Sequence, residues 1–285
     1  MLRLMRWIFP KLERWTPALA TRVFVQLFFT PLHFGFPQKE QVWIQQARIS
    51  FQMIGGKKVV VYEWGDAAKP YLLFIHGWAG RGTQFREFFQ PALDRGFRVV
   101  AFDGPAHGRS DGKRTNVLEF HECITRLQEK YGPPAGVISH SFGGTVSLYG
   151  VLNGLQLNRV VTIGTPVIAE MLIRSFLAAV NGTEKTGTAF RSHLLKKYGR
   201  DFNEFSVEWF LPRIKSDLQL LIVHDEKDKE VSVAHAHEAK RLYPSAGLHL
   251  THGLGHNRIL KDKDVIATVL DFMEAKHPAQ SKLIS

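Results

Sequence analysis

Cysteine is nearly absent from the chain, since Cys123 is the only one among 285 residues. An intramolecular disulfide is therefore excluded, and the usage fits a reducing compartment such as the cytoplasm. Long apolar runs are missing too. No stretch reaches the 18 uncharged apolar residues typical of a membrane-spanning helix, and charged residues from Arg3 to Arg14 interrupt any secretory signal. We therefore expect neither a transmembrane helix nor a signal peptide.

Acidic residues are scarce in the first 60 positions, which hold nine Lys or Arg against Glu13 and Glu40. The whole chain has a formal net charge of +11, and a basic surface attracts nucleic acids or anionic membranes. No zinc-finger spacing or RNA-recognition signature accompanies the charge, so no nucleic-acid partner is predicted. Glycine loops that cradle phosphates are also missing, and no cofactor is predicted.

Residues 1–52 are predicted to form a helical arm. Leu4, Ile8, Leu12 and Trp15 recur at helical spacing between basic residues, and residues 41–49 are predicted to form a further helix. The arm has two possible partners: the rest of the chain, or an anionic membrane surface that a basic amphipathic helix can bind. The second alternative makes the protein peripheral to a membrane through residues 1–36.

Beyond the arm, apolar strands alternate with helical segments. Tyr71–Ile75 is a continuous apolar run, as expected of a strand buried on both faces. Further strands are predicted at 58–64, 97–102, 136–140, 159–163, 218–223 and 247–251, with helices at 83–95, 117–131, 145–152 and 264–275. This alternation predicts a parallel sheet covered on both faces. Residues 167–216 break it with two helical runs and an aromatic patch, which indicates an inserted lid.

The segment Gly136–Thr145 has the pattern of a nucleophile elbow, in which a strand runs through a Ser into a helix. The sharp turn requires small neighbours two positions away, and Ser139 and Gly143 meet that requirement around Ser141. His235 and His237 lie two residues apart on a predicted helix and therefore point in different directions. We interpret them as surface helix residues and predict no metal site.

Four motifs in sequence order make the chain resemble the α/β-hydrolase family. They are His76–Trp78, Asp103–Ser110, Ser139–Gly143, and the pair His224–Val231 with Gly253–His256. Ser139 and Ala106 depart from the family pattern, which often has Gly there. The resemblance implies a mostly parallel central sheet flanked by helices, with an inserted helical lid. It divides the chain into the arm (1–52), two core segments (53–166 and 218–285) and the lid (167–217).

The resemblance also implies a Ser-Asp-His triad, because a serine hydroxyl needs a base and the base needs an orienting acid. In the family order Ser, acid, His, Ser141 is the expected nucleophile and His256 the expected base, with His252 as its rival. The acid is Asp228 or Asp225, and the family spacing favours Asp228. Glu170 is an outside candidate.

The backbone N–H groups of Trp78 and Phe142 are the expected oxyanion donors. We expect Trp78, His140, Phe205 and Trp209 to line the substrate pocket. The predicted function is hydrolysis of a carboxylic ester or related acyl compound, a small-molecule substrate, without a cofactor or metal. Thioesterase, lipase and carbon–carbon bond hydrolase activities on the same triad stay open, as does a ligand-binding protein with little turnover.

Overall fold

A computed structural model describes residues 2–215 and 217–275 of the chain. Met1, Ser216 and residues 276–285, which belong to the predicted arm, lid and second core segment, lie outside the described residues. The described strands are Arg48–Ile54 (β1), Lys57–Trp64 (β2), Tyr71–Ile75 (β3), Arg98–Asp103 (β4), Gly136–His140 (β5), Arg159–Ile163 (β6), Gln219–Asp225 (β7) and Gly247–Thr251 (β8). They form one sheet in the order β1-β2-β4-β3-β5-β6-β7-β8.

The pairing confirms a mostly parallel sheet. β1, β2 and β4 pair antiparallel, whereas all other neighbours run parallel. Parallel strands bring the loops at their carboxyl ends to one edge of the sheet, where ligands bind in open α/β folds. The predicted motifs follow β3, β4, β5, β7 and β8, so they meet at that edge.

Helices cover both faces of the sheet. The described α-helices are Leu2–Trp15 (α1), Pro17–Phe28 (α2), Gln38–Gln46 (α3), Arg86–Asp94 (α4), Val117–Tyr131 (α5), Phe142–Leu152 (α6), Ala169–Val180 (α7), Glu184–Tyr198 (α8), Val207–Phe210 (α9), Ala234–Leu242 (α10), Gly255–Arg258 (α11) and Lys263–Glu274 (α12). α5, α6 and α10 bury apolar side chains on one face, and α4 and α12 bury theirs on the other. The predicted class, a mostly parallel sheet flanked by helices, is thereby confirmed.

The end of the predicted helical arm is wrong, because the helix over 41–49 stops at Gln46 and residues 48–54 form β1. Gly55 and Gly56 both have positive φ, 53° and 79°, which is the requirement of a two-residue hairpin turn. The hairpin pairs β1 with β2 along its whole length. Strand pairing thus satisfies the backbone groups of residues that local sequence assigns to a helix.

The first two helices of the arm pack on the two long helices of the inserted segment, residues 167–215. The contact forms a separate apolar group, which we call the arm–insertion cluster: Phe9, Ala20, Phe24 and Phe28 from the arm, with Ile173, Leu177, Val180, Phe190 and Leu194 from the insertion. α1 continues through Pro10, although a proline inside a helix usually kinks or breaks it. None of the helices in the described part of the chain combines the length and the apolar composition that a membrane-spanning helix requires.

Candidate active site

Ser141 lies on the turn between β5 and α6, with φ of 52° and ψ of −121°. Backbone of this kind is strained and persists where the surrounding structure imposes it. A Cβ at Gly143 would lie 2.2 Å from the carbonyl oxygen of Ile75, so this approach of α6 to β3 requires glycine. Ser139 donates its hydroxyl to the carbonyl of Val161 at 2.8 Å. The sheet therefore accommodates the serine that replaces the first glycine of the motif.

His256 and Asp228 form a direct pair. His256 lies in α11 just after β8, and its Nδ1 is 2.7 Å from Oδ2 of Asp228. Burial by itself raises the pKa of Asp228, but hydrogen bonds from His256 and from the backbone of Val231 and Glu230 lower it below its usual value. The carboxylate is therefore ionised, and Nδ1 of His256 donates to it. This tautomer leaves the lone pair on Nε2.

Asp225, the other candidate acid, does not reach His256. Its carboxylate accepts from the hydroxyl of Thr251 at 2.8 Å and from the backbone N–H groups of Leu254 and Lys227, both at 2.9 Å. Burial raises its pKa, but these bonds and one from the backbone of Gly255 outweigh burial and lower it to about 2. Asp225 thus shapes the loop that leads into His256.

The two outside candidates lie elsewhere. His252 is exposed and pairs with Glu226 at 2.9 Å. Glu170 lies on α7, where it accepts hydrogen bonds from Arg174 and Arg191. The hydrogen bonds described for these two residues do not reach Ser141, Asp228 or His256. The structure therefore favours the pair of Asp228 and His256, which the family spacing predicted.

The loop after β3 lies directly against the elbow. A Cβ at Gly77 would be 2.9 Å from the Cβ of Ser141, so glycine is required for this close approach. Phe142 is the first residue of α6, and the first N–H groups of a helix have no intrahelical partner. The indole of Trp78 packs edge-on against the ring of Phe142, with centroids 5.3 Å apart. Trp78 and Phe142, whose backbone N–H groups are the predicted oxyanion donors, therefore contact each other in the segments next to Ser141.

Two buried histidines hold this loop, and sequence reasoning missed their role. His76 Nε2 accepts from the backbone of Gly104 at 2.8 Å, and His107 Nε2 accepts from the backbone of Ala79 at 3.0 Å. Burial lowers the pKa of both rings, that of His107 to about 4, so each stays neutral and able to accept. Ala106 beside them has a φ of 62°, a conformation that glycine adopts more easily. Both histidines lie within the motifs that follow β3 and β4, and that position is the sequence signal that could have identified them.

His140 does not line the pocket, contrary to prediction. It is buried beneath the site, where its Nε2 lies 2.9 Å from the backbone carbonyl of His256 and its Nδ1 lies 3.2 Å from Nε2 of Gln84. Nε2–H thus donates to that carbonyl, and Nδ1 accepts from the amide. The pKa of His140 is lowered to about 3, chiefly by burial and secondly by the neighbouring His256. The residue before the serine points inward because the elbow turns only the serine outward.

His235 is not a surface residue, and this prediction is also wrong. Only 4% of it is exposed, and its Nδ1 accepts from the backbone of Val167 at 3.0 Å and of Ile168 at 3.2 Å. Burial lowers its pKa to about 4, which keeps the ring neutral. His237, two residues on, is exposed as expected. His235 therefore fastens the start of the inserted segment to α10.

Ser141, Asp228 and His256 all line one cavity of about 460 Å³, within the usual range for small-molecule sites. Its walls are mostly apolar and come from both the arm and the inserted segment: Phe28, Phe29, Ile168, Met171, Leu172, Phe176, Leu194, Tyr198, Phe202 and Phe205. Trp78 and Phe205 line the cavity as predicted. Trp209 does not, because its ring packs against the core under the guanidinium of Arg213, 3.5 Å from the ring centroid.

Curated proteins that resemble the chain share only part of their length with it. A 30 kDa magnesium-chelatase subunit from Rhodobacter capsulatus is 32% identical over 110 residues, covering 37% of this chain and 38% of that protein. A monoacylglycerol lipase from Mycolicibacterium smegmatis is 28% identical over 142 residues, covering 46% and 51% respectively. The chain thus spans between about a third and a half of these relatives.

Solved structures match far more of the chain. A thioesterase domain from the curacin biosynthetic pathway is 19% identical, with a TM-score of 0.59, and covers 79% of this chain and 99% of its own. A bacterial membrane phospholipase A is 14% identical, with a TM-score of 0.63, and covers 96% of both chains. At these identities the likeness concerns the fold alone.

The sequence profile of the alpha/beta hydrolase fold matches residues 70–240, more than half of the chain. The matched region contains strands β3 to β7, the elbow around Ser141 and the loop that carries Asp228. The chain belongs to the alpha/beta hydrolase fold family.

Proposed function

We propose that this protein is a serine hydrolase that cleaves a carboxylic ester or related acyl substrate. The observation that carries the proposal is the hydrogen-bonded pair of His256 and Asp228 lining the same apolar cavity as Ser141. The three residue types match the nucleophile, base and orienting acid of acyl transfer. Relatives named monoacylglycerol lipase and esterase support a hydrolase activity.

The proposed reaction proceeds in two steps. His256 Nε2 takes the proton of Ser141 as its Oγ attacks the acyl carbonyl, and the oxyanion accepts from the backbone N–H groups of Trp78 and Phe142. Collapse of this intermediate expels the alcohol, which receives the proton from His256, and leaves an acyl-serine. A water then attacks the acyl-serine with His256 again as base, which releases the acid. Asp228 stays ionised and stabilises the protonated imidazole throughout.

The walls of the cavity support an apolar acyl group as the bound part of the substrate. Rings of Phe28, Phe176 and Phe205 line the cavity, and an acyl chain bound there would be removed from water. Lipase and thioesterase activities fit such a site as well as simple ester hydrolysis. A carbon–carbon bond hydrolase stays an alternative that these contacts do not favour.

We also propose that residues 167–215 act as a lid. Their helices supply much of the cavity wall remote from Ser141, and lids of this kind exclude water and set substrate selectivity. The start of the segment is fixed to α10 through His235. The boundary at 167 is therefore supported by a specific contact.

The cytoplasm remains the proposed location. Cys123 is a buried free thiol, and burial raises its pKa well above the usual value. A thiol in this state is unreactive, which is compatible with a reducing compartment.

Covalent labelling by a fluorophosphonate, mapped by mass spectrometry, tests the nucleophile. We expect one adduct, on Ser141, and expect Ser141→Ala to lose both the label and turnover of a short aryl ester. Ser175→Ala is the matched control, because Ser175 lines the same cavity but donates its hydroxyl to the Met171 carbonyl. A label on another serine would refute the assignment. Labelling without ester turnover would favour a binding protein.

A further inference from the structure

The outer face of α1 is apolar and basic at once. Leu4, Trp7, Lys11 and Trp15 follow one another at helical spacing, and 57% of Leu4, 63% of Trp7 and 77% of Trp15 is exposed. Lys11 lies one turn beyond Trp7, with its Nζ 3.0 Å from the centre of the indole ring. The opposite side of the helix carries Phe9, which is fully buried in the arm–insertion cluster. The docking of α1 therefore leaves two tryptophans facing water.

The charge of the arm also lies on its outside. Its five basic residues up to position 36 are all exposed: Arg3, Arg6, Lys11, Arg14 and Arg22. None of them forms an ion pair among the described residues, although Nε of Arg6 donates to Oδ1 of Asn181 in the inserted segment at 3.2 Å.

The only acid in this stretch points inward. Glu13 accepts from the backbone of Thr183 at 3.1 Å and from the hydroxyl of Thr186 at 2.6 Å, at the start of α8. A carboxylate stabilises a helix N-terminus. The outer face of the arm is consequently left with positive charge only.

We propose that this outer face, centred on Trp7, Lys11, Arg14 and Trp15, binds the surface of an anionic phospholipid bilayer. Indole rings prefer the headgroup region, where one end is apolar and the other is wet. Lysine and arginine beside them are attracted to anionic headgroups. A helix with mixed aromatic and basic residues on one face lies in the plane of the interface.

The positive charge of this face favours an anionic bilayer over a second copy of the chain as its partner. A two-fold interface brings the same patch of each subunit together, which would oppose like charges along both arms. An anionic bilayer neutralises those charges and also accepts the indole rings. The arm further carries Phe28 and Phe29, which line the cavity, so the bound segment is the same one that forms part of the substrate wall.

Vesicle co-sedimentation of the full chain tests the proposal, with Ser141→Ala present so that no lipid is hydrolysed. The probes are vesicles of phosphatidylglycerol mixed with phosphatidylcholine, and of phosphatidylcholine alone. We expect binding to the mixed vesicles only, and a decrease in binding at raised salt because screening weakens exposed charges. K11Q/R14Q should lower the partition coefficient about thirtyfold, and W7A/W15A should weaken it at every salt concentration.

Matched variants outside α1 serve as controls. K261Q/K263Q removes the same charge from exposed positions near α12, and F51A/M53A removes exposed apolar groups from β1. Both should bind as the parent does, and thermal melts should show all variants folded. Absence of binding to anionic vesicles, or equal losses in the controls, would overturn the proposal. A dimer in sedimentation analysis that W7A/W15A abolishes, without lipid binding, would assign the face to a second copy.

Discussion

Asp228→Asn tests the proposed acid most directly, because the structure specifies what the amide would do. Oδ1 of Asp228 accepts from the backbone of Glu230 at 2.8 Å and of Val231 at 2.9 Å, and an asparagine oxygen can keep both bonds. The amide nitrogen then faces Nδ1 of His256, where Oδ2 now lies. Since that nitrogen donates, Nδ1 must accept, and the proton moves to Nε2. The imidazole would lose the lone pair that takes the serine proton.

The expected loss follows from this change of tautomer and from the lost charge. The same replacement in the serine-protease template lowers kcat by about 10⁴, which corresponds to about 5.4 kcal/mol of transition-state stabilisation. The backbone hydrogen bonds of the turn that carries residue 228 are retained, so the melting temperature should change little. We therefore expect a folded protein whose turnover of a short aryl ester is close to that of Ser141→Ala.

Asp225→Asn is the matched control, because it removes one carboxylate charge from the same loop region. Three of the donors to Asp225 lie at 2.8 to 2.9 Å, and an amide can accept from only part of the set. Losing a hydrogen bond to a charged group costs about 1.5–3 kcal/mol of stability. Displacement of the His256 loop by about 1 Å would cost about 10²-fold in rate. If Asp225→Asn proves the slower enzyme while both proteins are folded, Asp225 is the acid and the proposed triad is wrong.

Three further outcomes are expected. Phe205→Ala should shift the acyl chain-length preference, because Phe205 lines the cavity. Trp209→Ala should instead lower the melting temperature and leave that preference unchanged, because Trp209 packs against the core. Identical preferences in the two variants would refute the assignment of Phe205, and not Trp209, to the cavity wall. Deleting residues 1–36 should yield aggregated protein, and Phe24→Ala should cost about 3–5 kcal/mol of unfolding free energy, since Phe24 is buried among other rings; an unchanged melt of either would contradict arm docking. His235→Gln should reduce the loss of stability at acid pH. The pKa of His235 is lowered from 6.5 to about 4 in the folded protein, so between these pH values the unfolded chain binds one more proton than the folded chain. The free energy of unfolding therefore falls by about 1.4 kcal/mol per pH unit as the pH decreases through that window. Urea unfolding across the window measures this slope, and an unaltered slope would refute the burial argument.

The fold and the residues around Ser141 could be predicted from the sequence because each motif comes directly after a strand. Ser141, Asp228 and His256 come after β5, β7 and β8, and parallel strands bring their carboxyl ends to one edge of the sheet. Position along the chain therefore determined position in space. Position after a strand did not distinguish Asp228 from Asp225, and it was the resemblance to the family spacing that favoured Asp228; the 2.7 Å contact with His256 agrees with that choice.

Residues whose neighbours come from distant segments escaped prediction. His235 meets the backbone of Val167, 68 positions away, and His107 meets Ala79, 28 positions away. Which side of a helix or loop a histidine occupies cannot be determined from its own neighbours. His140 was misplaced for a related reason, because adjacent residues on the elbow point in opposite directions.

The arm and the inserted segment show why domain boundaries drawn along the chain describe this molecule incompletely. They lie about 170 positions apart, and yet Phe24 packs edge-on against Phe190 at 5.2 Å while Glu13 holds the start of α8. Their apolar cluster is separate from the two clusters that flank the sheet. The layer above the cavity is therefore built from both segments, and neither buries its own apolar face alone. A change that loosens the arm should consequently alter the cavity wall, because Phe28 belongs to the cluster and the wall at once.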